Sequence, residues 1–157
     1  MMEIFINRAK TCAVTGHRVL YKDFDRSKLK DIFLKTVEIG FDTYLIGMAL
    51  GFDTECFNIL EEIRKEKPIK IIACIPCLKQ DYRFTLEQKK EYERMLNSAD
   101  EKFYLGQDYT KDCMIKRNKF MVDNASLLVA YLKRDFGGSY TTVKYAEKQN
   151  VQIINID

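Results

Sequence analysis

Three short segments of this chain carry residue types that hold anions, and each follows a run of strand-forming apolar residues. Thr15-Gly16-His17-Arg18 comes after Cys12-Ala13-Val14. It offers a hydroxyl, a backbone without a side chain, an imidazole and a guanidinium in succession, groups that suit a phosphate or a ribose. The same four residues also fit a polar turn in which Arg18 pairs with a nearby carboxylate. Gly47-Met48-Ala49-Leu50-Gly51-Phe52-Asp53 follows Tyr44-Leu45-Ile46. Asp53 reads either as an N-cap for the next helix or as a ligand contact, and Met48-Ala49-Leu50 is too apolar for a bare solvent turn. Phe136-Gly137-Gly138-Ser139-Tyr140-Thr141-Thr142 follows the apolar run Leu127–Leu132. Two glycines followed by the hydroxyls of Ser139, Thr141 and Thr142, opening a helix, make a cradle of N–H and O–H donors for an anion. Five of the seven glycines sit in these loops, where a backbone can approach a ligand closely. None of the loops matches the GxGxxG or GxxxxGK[ST] fingerprints.

Elements that alternate along the chain must position these loops. Strands are expected at Thr11–Thr15, Tyr44–Ile46, Ile69–Ile75, Lys102–Leu105, Leu127–Leu132 and Val151–Ile156. Between them, apolar residues recur at helical spacing in Arg26–Ile39, Thr54–Lys65, Leu86–Leu96, Asp112–Asp123 and Thr141–Gln149. Strands as apolar as Ile69–Ile75 suit a parallel sheet covered on both faces. The pattern predicts an α/β, Rossmann-like, open and mostly parallel sheet in three layers, with helices on both faces. Right-handed crossovers then bring the strand ends, and the three glycine loops, to one edge. Residues 1–10 read as an N-terminal extension and residues 11–157 as one domain.

The composition limits the partners. Of the 157 residues, 46% are hydrophobic and 31% charged, as in an ordinary soluble protein. A net charge of +3 with no separate basic block favours a small anionic ligand over nucleic acid. No apolar stretch is long enough to span a membrane, and the first ten residues lack the order of a signal peptide, so a cytoplasmic location is expected. The five cysteines include one close pair, Cys74-Ile75-Pro76-Cys77. That spacing allows redox chemistry, but its position in and just after a strand favours buried thiols. A single His and no second CxxC give no zinc set, and no cofactor is demanded beyond a nucleotide-type ligand.

Taken together, these motifs resemble the SLOG superfamily, the Rossmann-like group that includes the DNA-processing protein DprA (Smf) and the Lonely Guy proteins. The resemblance is greatest to its small YpsA-like branch. Val14-Thr15-Gly16-His17-Arg18 resembles that branch's opening motif, and Gly47-Met48-Ala49-Leu50-Gly51-Phe52-Asp53 resembles the DprA-type loop. Ile75-Pro76 with Gln80 resembles the loop after the third strand. Arg117-Asn118-x-x-Met121-Val122-Asp123 and the segment Gly137 to Ala146 complete the match, which runs from Thr11 to Asp157. The resemblance implies a site of Thr15, Gly16, His17, Arg18, Gly47, Ala49, Gly51, Asp53, Arg117, Asn118, Gly137, Gly138, Ser139, Thr141 and Thr142, with Arg117 as the main anion contact. A dimer is compatible with it.

Three functions compete. The first is a SLOG-type protein that binds a nucleotide or nucleotide derivative as a sensor or carrier. The second is a Lonely Guy-like phosphoribohydrolase that cleaves the N-glycosidic bond of a nucleoside monophosphate, which Met114-x-x-Arg117-x-x-x-Met121 resembles. The third is DprA-like binding of single-stranded DNA. Against the second, Lys144 stands where those hydrolases place a catalytic Glu, leaving Arg117 and the displaced carboxylate Glu147 as the catalytic candidates. Phe84 stands where the branch commonly has a Trp and offers a smaller ring for stacking on a base.

Overall fold

The computed structural model describes residues 6–156. The predicted N-terminal extension therefore falls partly on residues outside the described ones, and so does Asp157. A 3-10 turn at Arg8–Lys10 leads into β1 (Thr11–Gly16), followed by α1 (Arg26–Glu38) and β2 (Thr43–Ile46). Next come α2 (Phe52–Arg64), β3 (Lys70–Ile75), α3 (Leu86–Ser98) and β4 (Glu101–Tyr104). The chain continues through α4 (Cys113–Asp123), β5 (Leu127–Tyr131), α5 (Gly138–Lys148) and β6 (Gln152–Asn155).

The six strands form one parallel sheet in the order β4-β3-β2-β1-β5-β6, an open Rossmann-like α/β fold. Side chains alternate across it with the two-residue strand period. Cys12, Val14, Tyr44, Ile46, Ile71 and Val129 join Phe33, Phe57 and Tyr92 of α1, α2 and α3 in one apolar layer. Their neighbours Ala13, Leu45, Ile72 and Leu128 pack against Met121, Val122 and Val143 of α4 and α5 in the other. Both faces of the central strands are thus dry, as their uninterrupted apolar runs predict.

The order of the strands places the functional edge. The chain steps outward from β1 through β2 and β3 to β4, then returns beneath the sheet along α4 to pair β5 with β1. The loops after β1 and β5 leave toward opposite faces, opening a crevice at their carboxyl ends where ligands of such sheets lie.

Two helices start earlier than their sequences suggest. α2 begins at Phe52 with Gly51 as N-cap, so Asp53 lies inside the first turn and is not the cap. α5 begins at Gly138, three residues before Thr141, and its N-cap is Gly137. Both caps have positive φ, 76° at Gly51 and 96° at Gly137, where glycine carries no steric cost.

Candidate functional site

A cleft of about 620 Å³ occupies the crevice between β1 and β5. The β1 end supplies Thr15, Gly16, His17 and Arg18; Ala49 comes from the β2–α2 turn and Asp53 from the first turn of α2. Helix α4 supplies Met114, Arg117 and Asn118, and the start of α5 supplies Gly138 and Ser139. The end of β1 meets the start of α5 directly, with Thr15 Oγ1 donating to Ser139 Oγ at 3.4 Å. Of the other predicted residues, Gly51 lines an adjoining cavity that shares Arg18, Val19 and Ala49 with this cleft. Gly47, Gly137, Thr141 and Thr142 stay out of the lining.

Most of the loop glycines make room for the protein itself. A Cβ on Gly16 would collide with the Phe52 ring, and one on Gly47 would stand 2.8 Å from the Arg117 guanidinium. A Cβ on Gly51 would strike the backbone carbonyl of Arg18, because this turn is pressed against the β1 loop. Phe52 N–H seals that approach by donating to His17 O at 3.1 Å. Gly138 differs, since a Cβ there would meet nothing within 4 Å.

The first turn of α5 is therefore open. The N–H groups of Gly138, Ser139 and Tyr140 have no acceptor among the described residues, and Gly137 provides no side-chain cap. They present the positive end of a helix of 11 residues. The predicted cradle of three hydroxyls is smaller than expected. Thr141 Oγ1 donates to Gly137 O at 3.0 Å and Thr142 Oγ1 to Gly138 O at 2.8 Å, so only Ser139 turns its hydroxyl to the cleft.

Arg117 is buried, with 4% of its surface exposed. Its Nη1 donates to Gly47 O and, at 3.3 Å, to Cys74 O. Its Nε reaches Asn118 Oδ1 at 2.7 Å, and Nη2 approaches Met114 Sδ at 3.7 Å. Gln80 Nε2 shares the Gly47 carbonyl at 2.9 Å, and Gln80 Oε1 accepts from the Tyr92 hydroxyl at 3.0 Å. The guanidinium thus joins α4 to the ends of β2 and β3, with one edge on the cleft.

Two buried titratable groups face the same space. Asp53, 7% exposed, accepts from Ala49 N–H through Oδ2 at 3.1 Å. Burial pushes its carboxyl up to about 6, against the opposing pull of Arg117. His17, 3% exposed, accepts the Lys133 N–H at Nε2 over 2.9 Å. The neutral ring then carries its proton on Nδ1, a buried atom with no partner. Burial first, and Arg134 second, push the imidazole below its ordinary value.

Arg134, Tyr21 and Val19 also line the cleft, and the reading of motifs missed them. The available signal was the Lys133-Arg134 pair just ahead of the double glycine. Lys144 and Glu147 pair with each other at 3.5 Å on the exposed face of α5, outside the lining. All five cysteines are free and buried, and burial pushes the Cys74 thiol up to about 12, far from a reactive thiolate. Among the described residues, no group of three or more His, Cys, Asp or Glu is placed to hold a metal. None of the helices among the described residues is long and apolar enough to cross a membrane.

The family model described as the YspA SLOG family matches residues 22–157. The chain belongs to that family. Among curated relatives of this SLOG chain, the uncharacterized SPbeta prophage-derived protein YoqJ of Bacillus subtilis (strain 168) is 30% identical over 139 residues, covering 77% of this chain and 81% of the relative. Among solved structures, DNA processing protein A (DprA) of Streptococcus pneumoniae superposes with a TM-score of 0.66 at 17% identity, covering 92% of this chain and 49% of that one. DNA processing protein A of Helicobacter pylori, described for its single-stranded DNA binding mode, gives 0.61 at 21% identity, covering 94% and 65%. The chain spans less than two thirds of either DprA protein, and at these identities the likeness is one of fold.

Proposed function

We propose that the β1–β5 cleft binds a nucleotide or nucleotide derivative through its phosphate, and that the protein serves as a sensor or carrier of that ligand. The observation that carries this reading is the open first turn of α5, with free N–H groups and an empty space at Gly138. Arg18 and Arg134 line the same cleft, and neither is in an ion pair among the described residues. The main anion contact therefore passes from Arg117, whose donors hold backbone carbonyls, to these two guanidiniums. A cleft of about 620 Å³ lies within the range of small-ligand sites. A ligand that binds only the folded protein must raise its melting temperature. Adenosine monophosphate at millimolar concentration should do so for the wild type, and Arg134→Ala should lose most of the effect. No shift with any nucleoside mono- or diphosphate would remove this reading.

One observation favours the hydrolase as a second reading. The cleft contains a buried carboxylate, Asp53, with a raised pKa suited to proton transfer near neutrality. Chromatography of nucleoside monophosphates incubated with the protein tests it. No free base is expected from a carrier, whereas base release abolished by Asp53→Asn and kept in Glu147→Gln would establish the enzyme. The described DNA binding of the Helicobacter pylori neighbour bears on the partner as well. Retention of single-stranded DNA that falls steeply with salt would support a nucleic-acid role.

A further inference from the structure

A second cleft, of about 430 Å³, meets the first at Arg18, Ala49 and Met114. Its chemistry is different. Its wall carries three rings, Tyr82, Phe84 and Tyr109, and its cations are Arg18, Lys79 and Arg83, with no Asp or Glu in the lining. Phe84 is anchored edge-on against Tyr92 at 5.6 Å between centroids. Tyr82 and Tyr109 are 73% and 66% exposed, and neither ring is stacked on another among the described residues. Neither Lys79 nor Arg83 is in an ion pair there. Three rings with unpaired cations and no anion make a surface for a planar ring attached to phosphate, because rings stack on the aromatic walls while the cations neutralise the linker.

We propose that this second cleft takes the second nucleotide unit of a two-unit ligand, with Arg18 on the phosphate that joins the units. The inference rests on the nucleotide reading of the first cleft and names the class of its ligand. The first cleft holds one nucleotide at the open turn of α5, and the second stacks the next base against Tyr82 and Tyr109. Two kinds of molecule share this chemistry, a pyrophosphate-linked dinucleotide and a phosphodiester-linked strand end.

Calorimetric titration distinguishes them with three probes: adenosine monophosphate, a pyrophosphate-linked adenine dinucleotide and a 5′-phosphorylated diadenylate. At least one two-unit probe should bind wild type about tenfold or more tighter than the monophosphate, the gain expected of one stacked base. The tighter of the two identifies the linkage. In Tyr82→Ala/Tyr109→Ala, that probe should fall to the affinity of the monophosphate, while the monophosphate itself binds as in wild type. Both side chains are exposed, and an unchanged melting temperature of the double variant checks the fold. Two-unit probes that bind no better than the monophosphate overturn the proposal and leave the nucleotide reading intact. So does a double variant that keeps the tenfold difference. If no probe binds, the nucleotide reading fails and takes this inference with it.

Discussion

His17 and Asp53 face one cleft but answer acid in opposite ways. An unfolded His takes up a proton near 6.5, while the native imidazole, buried and accepting the Lys133 N–H, resists it. Between the ordinary value and the lowered native one, the unfolded state binds more protons, so acidification below about 6.5 destabilises the fold. Asp53 has the reverse sign. Its carboxyl rises from 3.8 in the unfolded chain to about 6 when folded, so the native state binds the extra proton between these values and acid stabilises it. Above that window the buried carboxylate costs on the order of 3 kcal/mol, by the conversion of about 1.4 kcal/mol per pKa unit. Thermal melts across pH 4–7 should separate the two. Asp53→Asn is expected to melt several degrees higher at pH 7 and to lose the gain on acidification. His17→Gln, which keeps an acceptor for Lys133, should lose the acid-induced drop. The residue types were legible in the sequence, but their burial was not, because the His17 ring packs against Tyr21 and Tyr131, 5.7 and 5.6 Å away between ring centroids and distant from each other in the chain.

Helix α5 separates positions that the sequence makes look alike. Gly137 and Gly138 are adjacent, yet the first caps the helix at φ 96° and the second leaves a space at the cleft. Gly138→Val should therefore fold with a melting temperature close to wild type and lose the stabilisation that adenosine monophosphate confers, as measured by thermal shift. A variant that still responds fully to the nucleotide would move the anion elsewhere in the cleft. The helix was legible from its apolar period, and its start was not. Thr141 and Thr142 read equally well as ligand donors or as hydroxyls bonded one turn back, and only the helical backbone from Gly138 onward selects the second. α2 gave the same ambiguity. Asp53 is a good cap by type, but the cap must lie where the turn meets the Arg18 carbonyl, and only glycine fits that approach.

For the molecule as a whole, Arg117 is a joint. It reaches from α4 beneath the sheet to the carbonyls of Gly47 and Cys74, and Gln80 and Tyr92 extend the network from the other side. Removing it takes a charged donor from the Cys74 carbonyl and from the Gly47 carbonyl, which keeps only Gln80, a loss of charge-assisted bonds in a dry interior worth about 3 kcal/mol. Arg117→Ala should lower the denaturant midpoint accordingly with no ligand present, whereas a side chain serving the ligand alone would leave unliganded stability within about 0.5 kcal/mol of wild type.

The sequence by itself determined the sheet and the edge at which its loops gather. Apolar runs long enough to be dry on both faces, alternating with amphipathic helices, admit little besides an open parallel sheet. It also marked part of the cleft's lining, among it Thr15, Gly16, Arg18, Gly138 and Ser139, because glycine, hydroxyl and guanidinium at strand ends are a local signal. Tertiary structure decided what each of them does. Gly16, Gly47 and Gly51 yield space to Phe52, Arg117 and the Arg18 backbone, while Gly138 yields it to the cleft. Those neighbours lie between 33 and 70 positions away along the chain, so their demands are set by which strands pair and which helix crosses beneath them, and no local pattern carries that information.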